Sequence, residues 1–203
     1  IAGTGCNNTQ ATLMSSLEAQ ELGADGLLIV TPYYNKTSQS GLIKHYTYIA
    51  DRVHIPIILY NVPSRTGVNI KPETCAELAK HPNICAIKEA SGDISQVAKI
   101  KDLCGDNLDI YSGNDDQAVA MMSLGGIGVI SVLSNFLPGV MHKMCSEYLE
   151  GHTKAAAEMQ IKYVGLMNAL FSDVNPIPVK EAMNMLGLEA GPCRLPLYPM
   201  ESA

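Results

Sequence analysis

Short apolar runs rich in β-branched residues alternate with amphipathic stretches of helical length, and this rhythm constrains the fold more than any other feature of the chain. The strand candidates are 1–5, 26–31, 57–61, 84–89, 108–112 and 128–132. Helical patterns fill the intervals at 9–22, 41–52, 71–80, 94–104, 116–124 and 135–149. Strands that read apolar on both faces belong to parallel sheets covered by helices. Their repetition at this spacing leaves two architectures, an open doubly wound sheet or a (β/α)8 barrel. A closed barrel needs eight strands and about 250 residues; this chain has 203 residues and offers six strands. Two further helical segments, 154–171 and 179–186, have no strand partner and read as a C-terminal helical appendage.

Charge and cysteine usage narrow the functions open to such a sheet. A formal net charge of −6 argues against a nucleic-acid surface, which needs clustered Lys and Arg. No apolar run approaches the roughly 20 residues that span a bilayer, and no signal-peptide pattern is visible, so no membrane partner is expected. The cysteines at 6, 75, 85, 104, 145 and 193 form no C-x-x-C pair. They read as small core residues in a reducing, cytoplasmic setting. His45, His54, His81, His142 and His152 lack metal-ligand spacing, so no metal is expected. The glycine-rich runs at 1–5 and 125–128 lack a P-loop lysine and read as turns.

Three strand ends carry groups with chemical potential. Lys88 closes the apolar run Ile84-Cys85-Ala86-Ile87-Lys88-Glu89, where a solvated lysine is out of place. Alternation puts Ile84, Ala86 and Lys88 on one face and Cys85, Ile87 and Glu89 on the other. The plain reading is a lysine snorkelling from the strand end or paired with Glu89 or another carboxylate. The functional one is a Schiff-base lysine at the C-terminal end of a barrel strand. Lowering an ordinary lysine by roughly three pH units, about 4 kcal/mol, would make nearly half of it nucleophilic near neutrality. Tyr60 closes another strand and leads into a turn carrying Arg65, a phenol for proton transfer beside a planar fork for a carboxylate. Tyr33 and Tyr34 sit side by side in the loop Thr31-Pro32-Tyr33-Tyr34-Asn35, as interface anchors or catalysts. Asp115 and Asp116 follow a strand end and read as a helix N-cap.

Taken together, Tyr60-Asn61-Val62-Pro63-Ser64-Arg65-Thr66-Gly67, Ile87-Lys88-Glu89-Ala90-Ser91-Gly92 and Asn175-Pro176-Ile177-Pro178-Val179-Lys180 resemble the dihydrodipicolinate synthase family, within the N-acetylneuraminate lyase superfamily of (β/α)8 barrels. The resemblance runs in order over essentially the whole chain. It implies a class I aldolase-type condensation of pyruvate with aspartate semialdehyde in lysine biosynthesis, without metal or organic cofactor. Carried over by position, Lys88 would form the imine with pyruvate, Tyr60 would relay protons, and Arg65 would hold the aldehyde's carboxylate. Tyr34 would reach into a neighbouring subunit's site in a homodimer or a tetramer built as a dimer of dimers. The main chain at Ile130 and the Gly113 loop would line the pyruvate end. Asn7 and Tyr33 match two positions of the family's allosteric lysine site; a glutamate that lysine-inhibited members use there is Ala11 here.

The same resemblance implies that residues 1–150 supply barrel units three to eight and residues 151–203 a C-terminal helical region. The family's first two units, whose Gly-Thr-Thr-Gly-Glu motif completes the proton relay, would precede Ile1, which makes this chain an internal portion of the enzyme, ending short at Ala203. Two other readings stand beside this one. A sister pyruvate lyase would act on a sialic acid or keto-sugar acid, against which the Arg65 context argues. A non-catalytic fragment would lack the threonine of the relay.

Overall fold

The computed structural model of the protein describes residues 1–200. Six strands are joined by helices in the order β1 (Ala2–Gly3), α1 (Thr9–Glu21), β2 (Leu27–Val30), α2 (Gln39–Ala50), β3 (Ile57–Asn61), α3 (Pro63–Thr66), α4 (Pro72–Leu78), β4 (Ile84–Glu89), α5 (Ile94–Cys104), β5 (Asp109–Ser112), α6 (Ala118–Met122) and β6 (Gly128–Val129). Three helices follow, α7 (Pro138–Leu149), α8 (Thr153–Ala169) and α9 (Ile177–Met185). Among the described residues no helix is long and apolar enough to cross a membrane.

All pairings are parallel, and spatial order repeats chain order from β1 to β6. That settles the choice left by periodicity. A doubly wound sheet reverses its strand order and carries helices on both faces; a (β/α)8 barrel winds one way and keeps its helices outside. Here Leu27, Ile29, Ile57, Leu59, Ile87 and Ile110 pack into one dry core with Leu42, Tyr46, Ile49, Cys75, Leu78, Val97 and Ile100 from the helices. Each such side chain contributes roughly 1.5–3 kcal/mol on burial. The alternate positions Leu28, Val30, Tyr60, Lys88 and Tyr111 lie on the other face and are only half-buried. The sheet is therefore an arc of a (β/α)8 barrel, six strands with an inner and an outer face. A second core joins Ala118, Leu133, Met141 and Met144 to Met167, Leu170 and Val179, so the C-terminal helices pack directly on the last barrel unit.

Strand alternation fails at one place. The β3–β4 register shifts between Ile57 and Ile58, so Ile57 pairs with Ile84 but Ile58 with Ala86. The extra residue at this bulge turns Ile84 to the outer face, where it shares the dry core with Ile87. Strict alternation had placed Ile84 with Lys88; beyond the bulge the expected facing of Ala86, Lys88 and Glu89 holds. The strand expected to reach 132 ends at Val129, although the Ile130 N–H still reaches Ser112 O at 2.9 Å. Beyond it a 3-10 turn, Leu133–Asn135, replaces the expected first turn of α7, which starts at Pro138, where the proline ring suits a first helical position. The short helix α3 has too few residues for a periodic signal. Gly67, at φ 72°, ends it in a left-handed cap.

Candidate active site

The site lies where β3, β4 and β5 end. Parallel register sets Tyr60 beside Lys88 and Lys88 beside Tyr111, all on the inner face. The Lys88 Nζ stands 4.2 Å from the centroid of the Tyr60 ring. Burial pushes the lysine below its ordinary pKa, because the ammonium form loses solvation; the Asp115 carboxylate opposes this and the Arg65 guanidinium adds to it. Burial raises the Tyr60 phenol for the same reason, with Arg65 opposing. The pair is thus a depressed amine against a phenol that keeps its proton at neutral pH.

Lys88 makes no ion pair among the described residues. Glu89, the partner that plain sequence reading offered it, points to the outer face and is 1% exposed. Asp115 also departs from expectation. It does not cap its own helix: its Oδ2 accepts the Val132 N–H at 3.0 Å and the Leu133 N–H at 2.8 Å, pinning the loop after β6 to the loop after β5. Those amides open a turn whose N-cap residue, Val132, has no capping side chain, and a carboxylate from across the site satisfies them.

Lys88, Tyr60, Arg65 and Gly113 wall one cavity of about 220 Å³, together with Ser64, Asn114, Val132, Phe171 and Asn175. Gly113 is required by the close approach: a Cβ there would stand 2.5 Å from the Ala90 Cβ and 3.2 Å from the Lys88 Cε. Arg65 is exposed on α3, and its Nη2 donates to the Asn175 carbonyl at 3.1 Å, across 110 residues of chain. The link between α8 and α9 thus contributes Phe171 and Asn175 to the cavity, and nothing in periodicity marks Phe171. A larger hollow of about 370 Å³ runs along the apolar inner face and shares Tyr60, Val62 and Arg65 with the first.

Other expected residues lie outside the Lys88 cavity. Ile130 does not line it; its N–H is spent on Ser112 O, two residues before Val132, which does. Tyr33 walls the larger hollow. Tyr34 lines neither; it is 88% exposed and takes a left-handed backbone at φ 72°. Asn7 is tied to the tyrosine loop by its carbonyl, which accepts from Asn35 Nδ2 at 3.0 Å. Among the described residues no group of three His, Cys, Asp or Glu side chains comes together as a metal site.

A profile of the dihydrodipicolinate synthetase family matches residues 1–203. The chain is 58% identical over 201 residues to 4-hydroxy-tetrahydrodipicolinate synthase 1 of Clostridium acetobutylicum, covering 99% of this chain and 69% of that protein. It is 62% identical over 200 residues to the 4-hydroxy-tetrahydrodipicolinate synthase of Caldicellulosiruptor saccharolyticus, covering 98% and 68%. The crystal structure of dihydrodipicolinate synthase from Thermotoga maritima superposes with a TM-score of 0.96 at 45% identity, covering 98% of this chain and 69% of that one. Matched along its whole length, and identical at more than half the aligned positions to the Clostridium and Caldicellulosiruptor synthases, the chain belongs to the dihydrodipicolinate synthetase family.

Proposed function

We propose that the protein condenses pyruvate with aspartate semialdehyde to 4-hydroxy-tetrahydrodipicolinate, a carbon–oxygen lyase reaction of lysine biosynthesis that proceeds through a Schiff base on Lys88. The observation that carries the reading is one desolvated amine, 4.2 Å from a tyrosine ring, in a cavity that an arginine also walls. A lysine held below its usual pKa presents more free amine at neutral pH, and only the free amine can attack the keto carbon. Addition gives a carbinolamine, water leaves, and the iminium acidifies the adjacent methyl group so that it becomes the carbon nucleophile. Each step moves a proton, and the Tyr60 phenol, whose ring centroid stands 4.2 Å from the amine, is the donor in this scheme.

Arg65 takes the aldehyde's carboxylate in this scheme, since its planar fork suits bidentate recognition and the Asn175 carbonyl already orients it. The Gly113 loop and the Ile130 main chain form the pyruvate end. Tyr34 serves the site of a second copy, in a homodimer or a tetramer; an aromatic side chain 88% exposed on a strained backbone supports a role between subunits. Asn7 and Tyr33 remain candidates for an effector site at that interface. Residues 1–150 act as barrel units three to eight and 151–203 as the helical region that closes the site, of which 201–203 lie outside the described residues. The six free thiols support a reducing cytoplasmic setting. The test is turnover by the purified chain. Product formation that needs both pyruvate and aspartate semialdehyde supports the proposal, and turnover of a sugar acid in place of the aldehyde contradicts it.

A further inference from the structure

The outer face behind Lys88 and Tyr60 holds a polar cluster that the condensation does not use. Glu89 directly follows Lys88, Asn61 directly follows Tyr60, and the two pairs are in register across β3 and β4. Glu89 and Asn61 are 1% and 0% exposed. The Glu89 Oε2 accepts from Asn61 Nδ2 at 2.9 Å and from Gln96 Nε2 at 3.1 Å, and its Oε1 accepts the Ser91 N–H at 2.6 Å. The same two amides also donate to Asn69 Oδ1, at 2.7 and 3.1 Å. Their carbonyls are taken in turn: Asn61 Oδ1 accepts the Ile70 N–H at 2.9 Å, and Gln96 Oε1 accepts Asn69 Nδ2 at 2.7 Å.

Every donor and acceptor of Asn61, Gln96 and Glu89 in this cluster is therefore matched, and the direction of each bond follows from one group. A carboxylate only accepts. It forces the NH2 ends of Asn61 and Gln96 toward itself, which leaves their carbonyls for Ile70 and Asn69. The ends of β3 and β4 are thus tied together twice, by backbone pairing and by the Asn61–Glu89 bond one residue beyond the reacting pair. The Ser91 bond also fixes the turn after β4, which carries Ala90, the residue against which Gly113 closes. A buried network satisfied in this way is rigid, and one with a reversed member is not.

We infer that Glu89, acting through Asn61 and Gln96, is a positioning residue that holds the Lys88 amine and the Tyr60 ring in reacting geometry from behind the sheet. The inference rests on the imine role proposed for Lys88. Glu89→Gln keeps the shape but turns one acceptor into an NH2 group. That group must face either the Ser91 N–H or the two amide NH2 groups, so at least one donor meets a donor. Displacements of this size at a reacting pair are felt in rate, since misplacement by about 1 Å can cost 10²-fold.

The experiment is rapid-mixing measurement of pyruvate imine formation, quenched with borohydride, on the wild-type chain and on Glu89→Gln. The rate constant at saturating pyruvate is expected to fall at least about 10-fold, with the half-saturating pyruvate concentration changed by less than about 3-fold and the final trapped fraction near that of the wild type. A merely structural role would do the opposite, lowering the trapped fraction with the folded population and leaving the rate constant alone; that result overturns the inference. Should Glu89→Gln fail to fold, Gln96→Ala removes one donor to Oε2 from α5 and leaves both strands intact. It is expected to slow imine formation in the same sense, and an unchanged rate constant there overturns the inference equally. Failure of the wild type to give any adduct would refute the imine role itself, a separate outcome.

Discussion

The two faces of the sheet are built from neighbouring residues of the same strands and differ in almost every physical respect. The outer face is dry and closely packed: Leu27, Ile29, Leu59 and Ile87 are each 0% exposed, and the Tyr46 hydroxyl donates to Ile29 O at 3.1 Å. The inner face is half-open and holds a lysine, without an ion-pair partner among the described residues, against a tyrosine ring. Period-two alternation lets adjacent residues do opposite work; in the proposed scheme Lys88 and Tyr60 react while Glu89 and Asn61 hold them. Stability should reside on one face and chemistry on the other.

The largest test of that division is Lys88→Ala. Turnover should vanish, while the thermal midpoint should stay the same or rise, because a desolvated ammonium is removed. A clear loss of stability in calorimetry would show that the inner face also carries the fold. Ile87→Ala, one residue away on the outer face, should do the reverse. It is expected to cost about 3 kcal/mol in denaturant unfolding through transfer and cavity terms, with little change in the turnover of the folded fraction.

Arg65→Ala tests the aldehyde end that the proposed scheme assigns to Arg65. The expected effect is a loss of about 10²-fold in kcat/KM for aspartate semialdehyde with pyruvate saturation little changed. An equal collapse for pyruvate would place Arg65 at the other end. The smallest effect is a pH dependence on the outer face. Burial holds His45 at about 4, against 6.5 when solvated, and its Nδ1 lies 2.9 Å from Thr9 Oγ1. The native state prefers the neutral ring, so the unfolded chain takes up the proton first. His45 thus leaves stability intact above pH 6.5 and withdraws it as pH falls toward 4. In His45→Gln the loss across that window should shrink by about 2 kcal/mol, read from unfolding midpoints at several pH values.

Alternation and spacing made the strand–helix rhythm legible, and Ile57–Asn61, Ile84–Glu89 and Ile94–Cys104 lie where periodicity put them. Strand order was not legible, because pairing is a tertiary choice; the one-way winding appears only in the structure. The site was half visible. Lys88, Tyr60 and Arg65 betray themselves by sitting where polar groups follow apolar runs, whereas Gly113 entered only through the family resemblance. Asp115 was read as a local cap because a carboxylate after a strand resembles one, yet its partners lie 17 and 18 residues on. Phe171 and Asn175 enter the cavity from the link between α8 and α9; Asn175 stood in a quoted motif without a role, and Phe171 leaves no local pattern. The bulge between Ile57 and Ile58 is equally silent, since both neighbouring residues are apolar.

The measurement that tests the central claim most directly is peptide mapping after the wild-type chain is incubated with pyruvate and reduced with borohydride. The account predicts one stable pyruvyl adduct, on Lys88, absent when pyruvate or the reductant is omitted. An adduct that maps instead to Lys44 or Lys180, or an undiminished adduct in Lys88→Ala, would contradict it.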